Sequence, residues 1–240
     1  MKGSKFACHN KCLLVFRAVV AVVYWGVCLK SAYVQIRRSG FLDLKYFTEW
    51  GIWLTMIYFT FALVTHLRYH GERCPPPKDS DSMWRSWKVI SAIFTTIIVW
   101  ECCIASLYWP LLYPADREDR LVHHPWKQFS NTFDHAWPVV CLWIDWSLNR
   151  IWIEWNQVYQ NLFLICIYGI VNITVTKSSG TPVYPPISWD SFTAWLIGLA
   201  ILPLAFGYFT AIYYLTKCKF RKMEMHDAIK YEPMAATIVT

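Results

Sequence analysis

Long runs of apolar residues recur along this chain and constrain its fold more than any other feature of the sequence. A helix rises about 1.5 Å per residue, so roughly 20 apolar residues cross the hydrocarbon core of a membrane. Six windows of this kind are separated by short polar connections. They predict an all-α membrane protein, a bundle of six transmembrane helices at residues 13–34, 47–66, 89–113, 132–148, 151–175 and 192–215.

The composition argues against a water-soluble globule. Hydrophobic residues make up 56% of the chain and charged residues only 16%, which is too little charge to cover the surface of a soluble domain. We therefore expect residues 1–240 to form a single transmembrane domain with short polar termini. The window at 132–148 is the weakest of the six, because it is short and opens with Asp134 and His135.

An even number of spans predicts that both termini lie on the same side of the membrane. Of the 23 Lys and Arg residues, 15 fall on that side, which leaves 23 − 15 = 8 opposite. The positive-inside rule then predicts cytosolic termini, in the plasma membrane or an endomembrane. We attribute the net charge of +7 to anchoring at anionic lipid and expect no nucleic-acid partner, because a basic cluster at 217–222 directly follows a span.

Several polar residues lie inside the predicted spans, where each is a candidate for function. Glu101 is near the middle of the third span. We expect its carboxyl group to be neutral, to pair with Arg17 or Lys30, or to line a wet cavity. Any of the three would avoid the free-energy cost of an unpaired buried carboxylate.

Four further polar residues, a set of three and the single Asp145, are predicted to have structural contacts. Glu154, Gln157 and Asn161 are spaced by three and four residues, which puts them on one helical face. Interhelical hydrogen bonding is their expected role. Asp145 lies about 15 Å further along the helix than His135, which is too far to orient that imidazole directly. It is instead expected to meet Arg150 or a neighbouring helix.

Thr48 and His135 are distinguished by their matching depth. Each lies about one turn inside a span, and both spans enter from the non-cytosolic side. A histidine that accepts the proton of a threonine hydroxyl, in a pocket open to an acyl chain, is the minimum for nucleophilic acyl transfer. The alternatives are structural: a threonine near a helix start is often a cap, and an intramembrane histidine is often a hydrogen-bonded core residue.

Trp and Tyr residues cluster near the ends of the predicted spans. This position is typical of side chains that anchor a helix at the membrane interface. We expect that role for Trp50, Trp53, Trp84, Trp87, Tyr108, Trp109, Trp126, Trp189, Tyr213 and Tyr214.

Two blocks of sequence resemble a known family. The stretch at 45–51, Lys-Tyr-Phe-Thr-Glu-Trp-Gly, is similar to the opening of the second helix in the androgen-induced transmembrane proteins and the related Rolling stone proteins. Asp134 and His135 followed by an apolar run, Tyr-Gly at 168–169, and the loop at 180–189 resemble the second half of that family. The loop is most similar to the Rolling stone form.

This resemblance implies a specific activity. The androgen-induced members are threonine hydrolases of fatty acid esters of hydroxy fatty acids, and their nucleophile and histidine match Thr48 and His135. It implies a membrane-lipid substrate and no metal, nucleotide or other cofactor. The alternative is a non-enzymatic structural, adhesion or complex-subunit protein of the Rolling stone type, in which the two residues only bond neighbouring helices.

Four further residues are candidates for the pocket or for binding the oxyanion. Tyr184 and Trp50, together with backbone amides near the start of the second helix, are candidate oxyanion donors. Glu101 is a candidate if it faces a cavity. Trp137 stands where relatives have smaller side chains, so we expect it to reshape the pocket.

Overall fold

The computed structural model describes residues 11–39, 45–69, 81–116 and 125–236. All regular structure in this part of the chain is helical, which confirms the predicted all-α bundle. The elements are α1 (Lys11–Ser39), α2 (Phe47–Arg68), α3 (Asp81–Leu107), a π-helical turn (Tyr108–Leu112), α4 (Tyr113–Asp116), α5 (Pro125–Leu148), α6 (Gln157–Ser179), α7 (Phe192–Leu199) and α8 (Ile201–Ala236).

Five segments of the described chain are long and apolar enough to cross a membrane, as expected of a multi-pass membrane protein. They are Lys11–Arg37, Phe47–Arg68, Arg85–Leu112, Gln157–Ser179 and Phe192–Met223.

The predicted span at 132–148 is a helix but is not among these five segments. It belongs to α5, which has 24 residues and packs against α1, α2 and α3. Two polar side chains of α5 are turned inward: Asp145 is fully buried and His135 is 8% exposed. They lower the mean hydropathy of the helix without facing the lipid.

Several boundaries differ from the sequence prediction, most clearly those of the fifth and sixth windows. Residues 151–156 are not helical, and α6 begins only at Gln157. The sixth window divides at Ala200 into α7 and α8, because Pro203 has no N–H to continue the hydrogen-bond ladder. α8 then continues to Ala236, so the expected short polar C-terminus is helical. The N-terminal segment at 1–10 lies outside the described residues.

Helix α3 is the centre of the bundle. Its side chains Phe94, Ile97 and Ile98 are completely buried, and it contacts α2, α5, α6 and α8. The outer surface is also apolar: Val22 on α1 is 72% exposed and Phe163 on α6 is 64% exposed. An apolar core inside an apolar exterior is what a lipid solvent permits, because the lipid does not penalise exposed hydrocarbon.

A buried ion pair joins α1 to α5. The Arg17 guanidinium donates to both carboxylate oxygens of Asp145, at 2.7 and 3.2 Å. Asp145 also accepts from the Tyr58 hydroxyl, and from the Asn149 side-chain amide at 2.7 Å. The expectation that Asp145 meets a neighbouring helix is confirmed.

Glu101 does not pair with either of the cations expected for it. Arg17 is bound to Asp145, and Lys30 is exposed. The Glu101 carboxyl is fully buried and accepts a hydrogen bond from the Thr55 hydroxyl at 3.4 Å. A Cβ at Gly51 would lie 2.4 Å from Glu101 Oε1, so glycine at this position gives the carboxyl its space.

Polar contacts between α3 and α6 follow the predicted face in part. Gln157 donates to the Ser91 hydroxyl at 3.0 Å and accepts from the Thr95 hydroxyl at 2.8 Å, which confirms interhelical bonding. Asn161 is buried one turn further on. Glu154 lies before α6, which begins at Gln157. Its N–H donates to the Gln157 side chain and closes a turn there.

Candidate functional site

A largely apolar cavity lies where α2 begins. Its volume is about 790 Å³, a figure that includes the open space at its mouth. The walls come from α2, α3 with its π-helical turn, α5, α6, α7, α8 and the loop at 180–191. Thr48 and His135, which are 135 − 48 = 87 positions apart, both line this cavity.

Thr48 is half-buried at the start of α2 and contacts Tyr184 of the 180–191 loop. The Tyr184 oxygen accepts a hydrogen bond from the Phe47 backbone N–H at 2.8 Å, and the backbone and side chain of Thr48 lie beside the same oxygen. Burial raises the pKa of the Tyr184 phenol, while its bonds to Tyr168, Phe47 and Thr48 oppose that change. The phenol is therefore neutral at physiological pH.

His135 is held by stacking. Its ring lies 3.5 Å from the Tyr108 ring at an interplanar angle of 6°. Among the residues that the structure describes, Nδ1 of this buried imidazole has no hydrogen-bond partner, and none of their hydrogen bonds joins His135 to Thr48. The structure brings the two predicted residues to one cavity with different neighbours.

Tyr108 is a site residue that the sequence reasoning missed. It was expected to be an interfacial anchor, yet it is only 2% exposed and lines the cavity. It opens the π-helical turn, which contains Pro110, and proline cannot supply the N–H of a regular helix. The signal in the sequence was Pro110 inside an apolar span, because proline interrupts a regular helix and π-helical turns occur often at functional sites.

The loop at 180–191 covers one side of the cavity. Gly180 has a φ of 69° and ends α6 in the left-handed conformation that glycine adopts easily. At the other end, the Ser191 hydroxyl accepts from the Ala194 N–H at 3.2 Å and caps α7. Between them Tyr184 and Trp189 contribute side chains to the cavity wall.

Trp189 has a strained backbone and a tightly fitted side chain. Its φ is 60°, which is rare for a bulky residue. A Cβ at Gly198 would lie 2.3 Å from the indole, so only glycine leaves room for this ring. Trp189 was expected to be an interfacial anchor; it is instead 7% exposed and part of the cavity wall.

A chain of hydrogen bonds connects the loop to the start of α2. The Trp189 indole N–H donates to the side-chain carbonyl of Asn172 at 2.8 Å, and the Asn172 amide donates to the Tyr168 hydroxyl at 3.3 Å. Tyr168 in turn donates to the Lys45 backbone carbonyl at 2.9 Å. The position of the loop is thus linked through α6 to the backbone just before Thr48.

Three predicted pocket residues do not line this cavity. Trp50 packs against Tyr168 with ring centroids 5.5 Å apart. Glu101 lies between α2 and α3, beside Gly51. Trp137 is 43% exposed and stacks on Phe133. Tyr184 is the one of the four additional candidates that is part of the cavity wall.

By its fold and its cavity, the chain belongs to the class of helical multi-pass membrane proteins. Its internal cavity is mainly apolar and is lined in part by a threonine, a histidine and tyrosines. Comparisons of the chain with protein-family models, with curated proteins and with solved structures find no match.

Proposed function

We propose that this protein is an integral-membrane threonine hydrolase of lipid esters, of the androgen-induced and Rolling stone type. Its substrates would be fatty acid esters of hydroxy fatty acids. The observation that carries the proposal is that Thr48 and His135 line one apolar cavity, and that a buried nitrogen of His135 has no partner among the described residues.

The residues supply a complete acyl-transfer cycle. The Thr48 hydroxyl oxygen attacks the ester carbonyl carbon while His135 takes its proton. The tetrahedral intermediate collapses, the alcohol leaves with the proton from His135, and the acyl group stays on Thr48. A water molecule, deprotonated by His135, then attacks this acyl group, releases the fatty acid and restores Thr48.

The surroundings of the pair suit an acyl substrate. Ile104, Leu107, Leu111 and Ile165 are among the aliphatic residues that line the cavity, and an acyl chain placed against them would gain free energy by leaving water. With both termini in the cytosol, the cavity would face the non-cytosolic leaflet. The substrate would then come from that leaflet or sideways from the lipid.

The alternative function is structural, as in a membrane adhesion protein or a subunit of a complex. Two observations favour it: Thr48 contacts Tyr184, and His135 stacks on Tyr108. On this alternative the side chains only hold the helices and the loop together. Replacing Thr48 would then change stability and nothing else.

Active-site labelling of the purified protein tests the proposal. A fluorophosphonate probe should attach to Thr48, as mapped by mass spectrometry. His135→Ala should slow the labelling at least about 100-fold, since loss of a general base costs that much. Thr65→Ala is the matched control, because Thr65 is also half-buried on α2 and should leave the labelling rate unchanged. A folded wild-type protein that does not label would support the structural alternative.

A further inference from the structure

The start of α2 presents backbone N–H groups to the cavity. The first N–H groups of any helix have no partner within the helix and carry a partial positive charge. Here the Phe47 N–H donates to the Tyr184 phenol oxygen at 2.8 Å, and the Thr48 backbone is a further partner of the same oxygen. A single loop side chain therefore occupies the position where an anionic or carbonyl oxygen would bind.

A second, independent observation points to a ligand at this place. His135 is more than nine-tenths buried, lines the same cavity, and has an Nδ1 without a partner among the described residues. A buried polar atom that lacks a partner destabilises the protein, because it has lost its hydrogen bonds to water and gained none in return. A ligand with a polar end would remove that cost, whereas an entirely apolar ligand would not.

We propose that the backbone amides of Phe47 and Thr48 form a binding site for the carboxyl end of a long-chain acyl ligand, and that Tyr184 occupies this site when the ligand is absent. The choice of an acyl ligand rests on the proposed function. The carboxylate of a fatty acid replaces the phenol oxygen at the amides, and the chain lies along the aliphatic walls. The same amides hold the oxyanion during ester hydrolysis.

Displacing Tyr184 also changes Thr48. In the present structure the Thr48 side chain lies beside the phenol oxygen. When the ligand takes the amides, the phenol moves away with the 180–191 loop and the Thr48 hydroxyl becomes available to His135. The loop thus joins ligand binding to the release of the nucleophile.

Tyr184→Phe tests the site directly, because it removes the competing oxygen and keeps the ring. We expect palmitate to bind this variant about fivefold more tightly than wild type, which corresponds to the loss of one competing neutral hydrogen bond. Hexadecane, which has no carboxyl group, should bind both proteins equally. Tyr214→Phe is the matched control, since Tyr214 on α8 is 56% exposed, and it should not change palmitate binding. Equal or weaker palmitate binding to Tyr184→Phe overturns the proposal.

A second measurement keeps Tyr184 in place, in case its replacement impairs folding. Ile187 lines the cavity from the loop, so the thiol introduced by Ile187→Cys should react with a maleimide several-fold faster at saturating palmitate. Exposed Cys218, in the basic cluster at 217–222 that follows the last predicted span, provides the internal reference, with each adduct quantified by mass spectrometry. If palmitate leaves the rate at the introduced thiol unchanged relative to this reference, the proposal is overturned.

The two proposals fail in different ways. If wild type does not label with fluorophosphonate but Tyr184→Phe binds palmitate more tightly, only the hydrolase proposal fails. If Thr48 labels but Tyr184→Phe has no effect on palmitate, only the site proposal fails. Thr48→Ala should retain palmitate binding, because the backbone amide remains.

Discussion

Helices α2 and α5 each pass through two polar regions, and these regions differ in whether their buried polar atoms have hydrogen-bond partners. In the ion-pair region, both carboxylate oxygens of Asp145 are satisfied by Arg17, Tyr58 and Asn149. In the cavity region, about 15 Å earlier along α5, the buried Nδ1 of His135 has no partner within the described chain.

The difference teaches which polar residues hold the fold and which are available for a ligand. A fully satisfied buried network fixes the helices in one arrangement, and removing one member leaves the others unpaired. A group without a partner is a cost that the folded protein carries. Where such a group also lines a cavity, as His135 does, it can bind or react with something from outside.

The largest effect that would sharpen this comparison is expected for Asp145→Ala. The change leaves the Arg17 guanidinium buried without its counter-ion, so the free energy of unfolding should fall by about 3–5 kcal/mol. Denaturant unfolding in detergent micelles, followed by tryptophan fluorescence, measures it.

A surface ion pair provides the control for that change. Asp190→Ala removes the partner of Lys177, but both side chains are at least half exposed, so stability should hardly change. If Asp145→Ala is as mild as Asp190→Ala, the ion-pair region is not the structural part of the molecule.

A smaller effect is expected between the two regions, at Gly51. The new Cβ of Gly51→Ala would meet Glu101 Oε1 at 2.4 Å and Ile104 at 2.9 Å, so α2 and α3 must separate or the carboxyl must move. Overpacking of this kind should lower the free energy of unfolding by about 1–3 kcal/mol.

Gly26→Ala is the matched change on α1, because no atom of the described residues lies within 4 Å of the added Cβ. It should be neutral or slightly stabilising, since alanine favours a helix over glycine. Equal melting temperatures for the two variants would contradict the close contact between Gly51 and Glu101.

A small effect on stability is expected for His135→Phe. A large loss of stability would contradict the difference between the ion-pair region and the cavity region. Phenylalanine retains a flat ring against Tyr108 and removes the buried nitrogen, which has no partner among residues 11–39, 45–69, 81–116 and 125–236. The free energy of unfolding should stay the same or rise by about 1 kcal/mol. Under the proposed function, labelling of Thr48 is lost at the same time. A loss of several kcal/mol would instead make His135 a structural residue.

Much of the fold could be predicted from the sequence, because lipid solvent imposes a length and a hydropathy that can be read locally. Five of the six apolar windows correspond to segments fit to cross a membrane, and the boundary at Phe47 is correct to the residue. The window at 132–148 is less apolar, because α5 carries Asp145 and His135, two polar side chains that are buried inside the bundle.

The candidate site could be predicted only in part. Depth along each helix predicted that Thr48 and His135 lie close together, and both line one cavity, as does Tyr184 of the loop. Trp50, Glu101 and Trp137 were expected at the pocket but do not line it, because hydropathy and spacing do not tell which face of a helix meets which neighbour. Tyr108 was missed because its burial depends on the π-helical turn at Pro110.

The sequence by itself determined the all-helical membrane bundle, the approximate limits of its spans, and the presence of polar groups that lipid does not tolerate unpaired. Only the tertiary structure decided that Arg17 belongs to Asp145 rather than Glu101, and that the oxygen of Tyr184 lies at the first amides of α2. The physical reason is that hydropathy and helix length are properties of a segment. The pairing of buried polar atoms depends on how helices rotate against one another, and that is settled when the whole core packs.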